Sequence, residues 1–196
     1  VDLGFLAGEP DLAGARLAVS ADFDAESFGQ IGGKLTGSVA GGIHPPANGD
    51  FTADAWLDNG SFILNNIAWT SPGTALKGDF TYSPDGLLAC QISEAHLAGI
   101  LVAALVSDDS SPAALRASDD AQVTVSDALF GTTADGGLRI SKGGVSFAGF
   151  QVDARGGGPL WKGIEGKASV NEGVITVETL RGEGILLSGH ISAVPG

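Results

Sequence analysis

The amino-acid sequence predicts a mainly-β protein, a curved or rolled antiparallel sheet built from strand–turn–strand repeats. Apolar and polar residues alternate along most of the chain, which is the pattern of strands with one face turned to a core. Gly-rich turn signals separate these segments at intervals of about 8–12 residues. Glycine accounts for 31 of the 196 residues, roughly twice its usual share.

The clearest hairpin lies in the first half of the chain. Residues 51–57 alternate as a strand, Asp58-Asn59-Gly60 is a turn signal, and residues 61–64 form the returning strand. Asn-Gly favours a type I′ turn because both residues tolerate a positive φ. A further strand over 76–82 ends at the turn signal Ser83-Pro84-Asp85-Gly86, which is rich in residues that initiate turns.

The last third of the chain follows the same pattern. Strands are predicted over 166–170 and 174–180, joined by the turn Asn171-Glu172-Gly173, and over 184–191. Three more strand-like segments occupy the middle, at 122–125, 138–140 and 145–152. This density of short strands indicates a sandwich, a barrel or a rolled sheet.

One segment, around residues 95–106, is predicted to be a short helix. Its apolar residues recur with helical spacing, at Leu97, Ile100, Leu101, Ala104 and Leu105. Ser93 is expected to cap the start of this helix, and His96 lies on it. We expect the helix to cover an open end or face of the sheet, so that no apolar edge is left in water.

This helix also suggests how the chain is organised. We expect an N-terminal β sub-region over 1–107 that ends in the helix, and a C-terminal β repeat sub-region over 108–196. Residues 108–120 are the candidate hinge. The alternative is one continuous domain.

The two halves share a strand–turn–strand phrase. Gly60-Ser-Phe-Ile-Leu leads to Gly73-Thr-Ala-Leu-Lys-Gly78-Asp-Phe80, and Gly173-Val-Ile-Thr-Val leads to Gly184-Ile-Leu-Leu-Ser-Gly189-His-Ile191. Each consists of a turn glycine, an alternating strand, a break and then G-x-x-L-x-G-x-apolar. Internal repetition of this kind suggests a sheet that grows by adding like units.

Gly166 to Ile191 resembles the C-terminal motif of the AsmA-like superfamily of bacterial envelope proteins, in which strands with alternating Leu or Ile end in L-x-G-x-I. Leu35-Thr36-Gly37-Ser38-Val39 resembles the other recurrent phrase of that family, L-x-G-x-apolar. The superfamily includes TamB-like and YdbH-like proteins and protein N of the type II secretion system. The resemblance covers about half of the chain.

The resemblance implies a β-groove in the bacterial periplasm, within a longer inner-membrane-anchored protein. It implies a non-catalytic module for lipid transport and outer-membrane biogenesis, whose apolar groove takes phospholipid acyl chains. The alternative is an assembly component like protein N, which contacts other envelope or secretion-system proteins, or copies of itself, through sheet edges.

Candidate groove residues follow from alternation along the strands: Phe62, Leu64, Ile175, Val177 and Leu187. Side chains in such positions are more often ordinary core than a binding groove. An apolar trough of this kind would stabilise bound hydrocarbon by about 0.8 kcal/mol per buried CH₂ group.

Composition argues against several other functions. The net charge is −13, which disfavours nucleic acid because phosphate binding needs clustered Lys and Arg. It also disfavours docking on anionic lipid headgroups. The absence of Met from all 196 residues suggests that the chain is cut from a longer protein. A single cysteine, Cys90, excludes an internal disulfide and is expected to be a small core residue.

The sequence predicts no catalytic residues, metal site or cofactor. His44, His96 and His190 are far apart and lack metal-ligand spacing. The segment 29–36 mimics a phosphate-binding loop but has Leu35 at the Ser/Thr position. A third hypothesis keeps an enzyme open, because Asp22 and Asp24 would share one strand face as a Ca²⁺ site or a glycosidase-like pair.

Overall fold

The computed structural model describes residues 16–27, 30–40, 48–106, 113–132, 137–154 and 157–192. Most of these residues form strands, and the predicted mainly-β antiparallel fold is confirmed. The elements, in chain order, are β1 (Arg16–Ser27), β2 (Gln30–Ala40), β3 (Gly49–Asp58), β4 (Ser61–Ser71), β5 (Thr74–Tyr82), β6 (Leu88–Ala98), α1 (Gly99–Val106), β7 (Ala113–Thr132), β8 (Leu138–Ala154), β9 (Pro159–Asn171), β10 (Val174–Gly182) and β11 (Ile185–Ser192).

The strands form one sheet in which their spatial order is their order along the chain. Strands that follow each other in the sequence are therefore hydrogen-bonded neighbours, and short turns suffice to join most of them. β1 and β11 are the two ends of this order among the described strands.

The predicted helix is shorter than expected, and its start was placed wrongly. Residues 95–98 continue β6, and α1 begins at Gly99. Ser93 does not cap it, because Ser93 lies in β6 and its hydroxyl donates to the Lys77 carbonyl at 3.2 Å. The longer strand lets the backbone N–H and C=O groups of residues 95–98 find partners in the sheet. The helix begins at Gly99, which lies so close to Ala121 that a Cβ at this position would clash.

The chain divides into two compact units. Unit 1 comprises the described residues of Val1–Ser93 and Leu129–Arg139, and unit 2 those of Glu94–Ala128 and Ile140–Gly196. The predicted boundary at 107/108 lies outside the described residues and stays a prediction.

In unit 1, a two-residue turn sets the pairing of β3 with β4. Asn59 and Gly60 have φ angles of 48° and 81°, as a type I′ turn requires, so the predicted turn is confirmed. The turn places Asp58 opposite Ser61 and Leu57 opposite Phe62. Directly opposed residues of an antiparallel pair share one face of the sheet, so this turn determines which side chains meet across the hairpin.

The core of unit 2 lies between α1 and the sheet. Ala103 of α1, Ala121 and Val123 of β7, Phe150 of β8 and Ile164 of β9 are buried together. Phe147 packs edge-on against Phe150, with ring centroids 6.2 Å apart and planes at 76°. The helix thus supplies the second layer that an apolar sheet face needs.

Aromatic rings lie over glycines of neighbouring strands in both units. Each ring occupies the space that a Cβ on the glycine would need. Four such pairs are directly opposed in register: Phe23 with Gly33, Trp56 with Gly32, Phe51 with Gly37, and Phe147 with Gly166. This packing compensates for the missing side chain of a strand glycine.

We predict that Gly166→Ala lowers the free energy of unfolding by about 1–3 kcal/mol, because overpacking strains a filled site. Its Cβ would lie 2.6 Å from Cζ of Phe147. Urea denaturation at low protein concentration measures the change.

The matched control is Gly189→Ala, also within a strand of unit 2, where a Cβ would meet nothing within 4 Å. Its stability should be unchanged, or higher by up to about 1 kcal/mol. If both variants lost the same free energy of unfolding, the packing role assigned to the Phe147 ring would be contradicted.

Candidate functional site: the apolar face of unit 1

A row of large apolar side chains crosses four strands of unit 1. Ile31, Leu57, Phe62 and Tyr82 are consecutive partners on β2, β3, β4 and β5. They therefore share one face of the sheet. Their exposed fractions are 43%, 44%, 37% and 46%. We call these four residues the apolar row.

The apolar row continues into an apolar surface on the same face. In the next register position Ala55 is fully buried between Gly33 and Leu64, and Ala53 follows it at 5% exposure. Further along lie Phe51, Trp69 and Leu76, which are half-buried. We call this surface, the apolar row included, the apolar face of unit 1.

Polar atoms are scarce on this face. Its polar side-chain groups are the Tyr82 hydroxyl at one end of the apolar row, the Trp69 indole N–H, and the hydroxyls of Ser71 and Thr74 beyond Trp69 and Leu76. The indole nitrogen is buried and has no hydrogen-bond partner among the described residues. Between Tyr82 and the Ser71–Thr74 pair, the face can therefore contact hydrocarbon but offers little to a hydrogen-bonding ligand.

The five predicted groove residues fall in different units. Phe62 and Leu64 lie on the apolar face of unit 1. Ile175, Val177 and Leu187 lie together on one face of the β10–β11 hairpin in unit 2, with exposed fractions of 37% for Ile175 and 53% for Leu187. Their role in binding stays a prediction for both sets.

Three members of the apolar row, Ile31, Leu57 and Tyr82, were not identified from the sequence. A signal existed for Leu57, since a two-residue turn at Asn59-Gly60 pairs it with Phe62. The positions of Ile31 and Tyr82 in the apolar row depend on the register of their strands, which no local sequence motif reveals.

The opposite face of unit 1 carries charged and polar side chains as well as Trp56 and Ile63. Asp22, Lys34 and Asp54 are consecutive cross-strand partners. The Asn66 side-chain amide donates to Asp54 Oδ2 at 2.8 Å, and its backbone N–H donates to Asp79 Oδ1 at 2.9 Å. Opposite charges thus alternate across the strands, a favourable arrangement on a solvent-facing surface.

The hypothesis of a functional acidic pair concerns Asp22 and Asp24, which both lie on this face. Asp24 borders an open recess of about 400 Å³ that Lys34 and Asp54 also line, while Asp22 is directly opposed by Lys34. Lys34 is therefore the cross-strand neighbour of both Asp22 and Asp54. Among the described residues, no three His, Cys, Asp or Glu side chains are grouped closely enough to hold a metal ion.

The histidines are dispersed. His96 lies in β6, not on the helix as predicted, and its ring nitrogens contact Glu94 Oε1 at 2.9 Å and Thr124 Oγ1 at 3.3 Å. His44 and the side chain of His190 lie outside the described residues.

Cys90 is half-buried in β6 of unit 1. Burial, and secondly the negative charge of Asp79, raise the pKa of the Cys90 thiol above its ordinary value. A raised pKa keeps the thiol protonated and poorly nucleophilic near neutral pH.

We predict that the native protein alkylates more slowly at Cys90 than the urea-unfolded chain at the same pH. Asp79→Asn should speed the native reaction, because it removes the charge that opposes thiolate formation and keeps an oxygen for the Asn66 N–H. The pH profile of iodoacetamide labelling measures both effects.

The sign of the linkage follows from the same pKa. Because the folded state holds the thiol proton more tightly, the free energy of unfolding should fall as pH rises through the thiol pKa of the unfolded chain. A native labelling profile that coincides with that of the unfolded chain would contradict this account of Cys90.

Comparison with the known protein families, with curated proteins and with solved structures finds no match to this chain. The resemblance to AsmA-like proteins therefore rests on the sequence phrases quoted above. Within the described part of the chain, no helix has both the length and the apolar character needed to cross a membrane.

Proposed function

We propose that this chain is a non-catalytic lipid-binding module, and that the apolar face of unit 1 holds phospholipid acyl chains. One observation carries the proposal: four large apolar side chains in direct register across β2–β5 are each at least 37% exposed. Large exposed apolar surfaces mark sites of interaction.

The layering of unit 1 supports this proposal. Its described residues form strands and turns of one sheet, without a helix. An apolar sheet face normally packs against a second layer. Throughout the described residues, no large side chain is fully buried, so the apolar face keeps surface that a ligand can remove from water.

The chemistry of the face favours an acyl chain as the occupant. The apolar row spans three inter-strand spacings, about 14 Å, and its only polar side-chain group is the hydroxyl of Tyr82 at one end. A hydrocarbon chain needs no hydrogen bonds over that length. The net charge of −13 disfavours binding through anionic headgroups.

The AsmA-like resemblance supplies the setting of the proposal. Such a module would work in the periplasm, in lipid transport or outer-membrane biogenesis, by sheltering acyl chains from water. Binding then follows from burial of apolar area, at about 0.8 kcal/mol per CH₂ group, and no bond is made or broken.

Native mass spectrometry tests the proposal on protein extracted gently from its host. We expect phospholipid adducts that are lost on delipidation and restored by zwitterionic phosphatidylcholine vesicles. Protein that carries no lipid under either condition would contradict the proposal and leave an assembly role through protein contacts as the better explanation.

A point variant locates the site. Leu57→Gln should weaken binding of a fluorescent acyl-chain probe about tenfold, because it removes about 1–1.5 kcal/mol of apolar burial. Titration of the probe, followed by its emission, measures the affinity.

Leu160→Gln is the matched control, since Leu160 lies on β9 of unit 2 and is 66% exposed. This variant should bind the probe as the unaltered protein does. Equal weakening in both variants would show non-specific adsorption and remove the apolar row as the site.

A further inference from the structure

The last strand of the described sheet, β11, lacks the residues that usually protect an edge strand against pairing. It is one end of the described sheet order. Its residues, Ile185–Ser192, include no Lys, Arg, Asp, Glu or Pro, the residues by which exposed edges usually avoid other strands. At the other end, β1 contains Asp22, Asp24 and Glu26.

The first three residues of β11 place apolar side chains on both faces of the strand. Leu186 and Leu187 point to opposite sides of the strand, and they are 67% and 53% exposed; Ile185 is 43% exposed. Side chains of a strand added beside β11 would remove part of this apolar surface from water.

Gly189 supplies an independent observation. The strand glycines Gly33, Gly37 and Gly166 each have a neighbouring side chain in the space that a Cβ would fill. Around Gly189, which has no positive φ, that space holds nothing within 4 Å. Its partner on β10, Val177, leaves the glycine uncovered.

We propose that β11 is a homodimerisation edge, at which β11 of a second copy adds in antiparallel register centred on Ser188. In that register Ser188 faces Ser188 of the other copy, and Leu187 of each copy faces Gly189 of the other. The leucine then fills the open space at Gly189, as aromatic rings do at the other strand glycines.

Charge favours self-pairing at this strand. Two β11 strands bring no charged side chains together, whereas the acidic residues of β1 would repel each other across a β1–β1 pair. A two-fold contact is also self-complementary and closes after two copies. The residues of β11 all belong to unit 2, and none of them belongs to the apolar face of unit 1.

Salt should strengthen the dimer. Each copy has a net charge of −13, and salt screens the repulsion between copies. The backbone hydrogen bonds between the two β11 strands do not depend on these charges. An eight-residue edge gives a small interface, so the dimer should dissociate on dilution.

Charge substitutions at Ser188 test the register. Ser188 is exposed, so Ser188→Lys and Ser188→Glu should leave the monomer folded. In sedimentation velocity each variant alone should dissociate at least tenfold more readily than the unaltered protein, because like charges face each other. An equimolar mixture of the two variants should form heterodimers.

Leu160→Lys is the control, because Leu160 is as exposed as Leu186 but lies on β9, between β8 and β10; it should dimerise normally. A protein that stays monomeric at high concentration and high salt would overturn the proposal. So would open-ended oligomers, or charge variants that the mixture does not rescue, since these outcomes indicate another edge or another register.

Discussion

Contact between an aromatic ring and a strand glycine is the interaction on which this fold depends. Glycine weakens a strand because it costs conformational entropy and brings no side chain to pack, yet 31 residues of this chain are Gly. At Gly33, Gly37 and Gly166 a ring from the neighbouring strand lies across the glycine and supplies the missing contact. Such rings lie along the sheet instead of standing up from it, which allows a single layer to bury part of its own apolar surface.

The same packing explains why an apolar surface remains. Rings and alanines can interlock within one layer, as the burial of Ala53 and Ala55 shows, but one layer cannot bury a large side chain completely. Unit 2 adds α1 over β7–β9 and gains a core around Phe150 and Ile164. The described part of unit 1 has no such helix, so the apolar row stays exposed. Its availability for a ligand is thus a consequence of the way in which the sheet is packed.

Local turn chemistry made much of this fold predictable, and irregular pairing limited the rest. The Asn59-Gly60 turn gives the Leu57–Phe62 pair directly. Tyr82 could not be found in this way: counting back from the Ser71–Thr74 pair would place residue 83 opposite Phe62, but a bulge between Leu64 and Ile67 moves Tyr82 there. Bulges depend on the fit between strands, and alternation in one strand does not reveal them.

A bulge in β10 likewise changes which residues of unit 2 share a face. It also relates the internal sequence repeat to a shared structural feature. From the Gly182–Ile185 pair, regular pairing would put Val177 and Leu187 on opposite faces, and the irregularity between Val177 and Leu180 brings them onto one face. This bulge begins four residues after Gly173, and the bulge in β4 begins four residues after Gly60. The two hairpins therefore share an irregularity as well as a motif, so each can be regarded as one structural unit. The strand equivalent to β11 in the first hairpin is β5, which has β6 on its other side. The first hairpin therefore shows how one more antiparallel strand can be added beyond the second strand of such a unit.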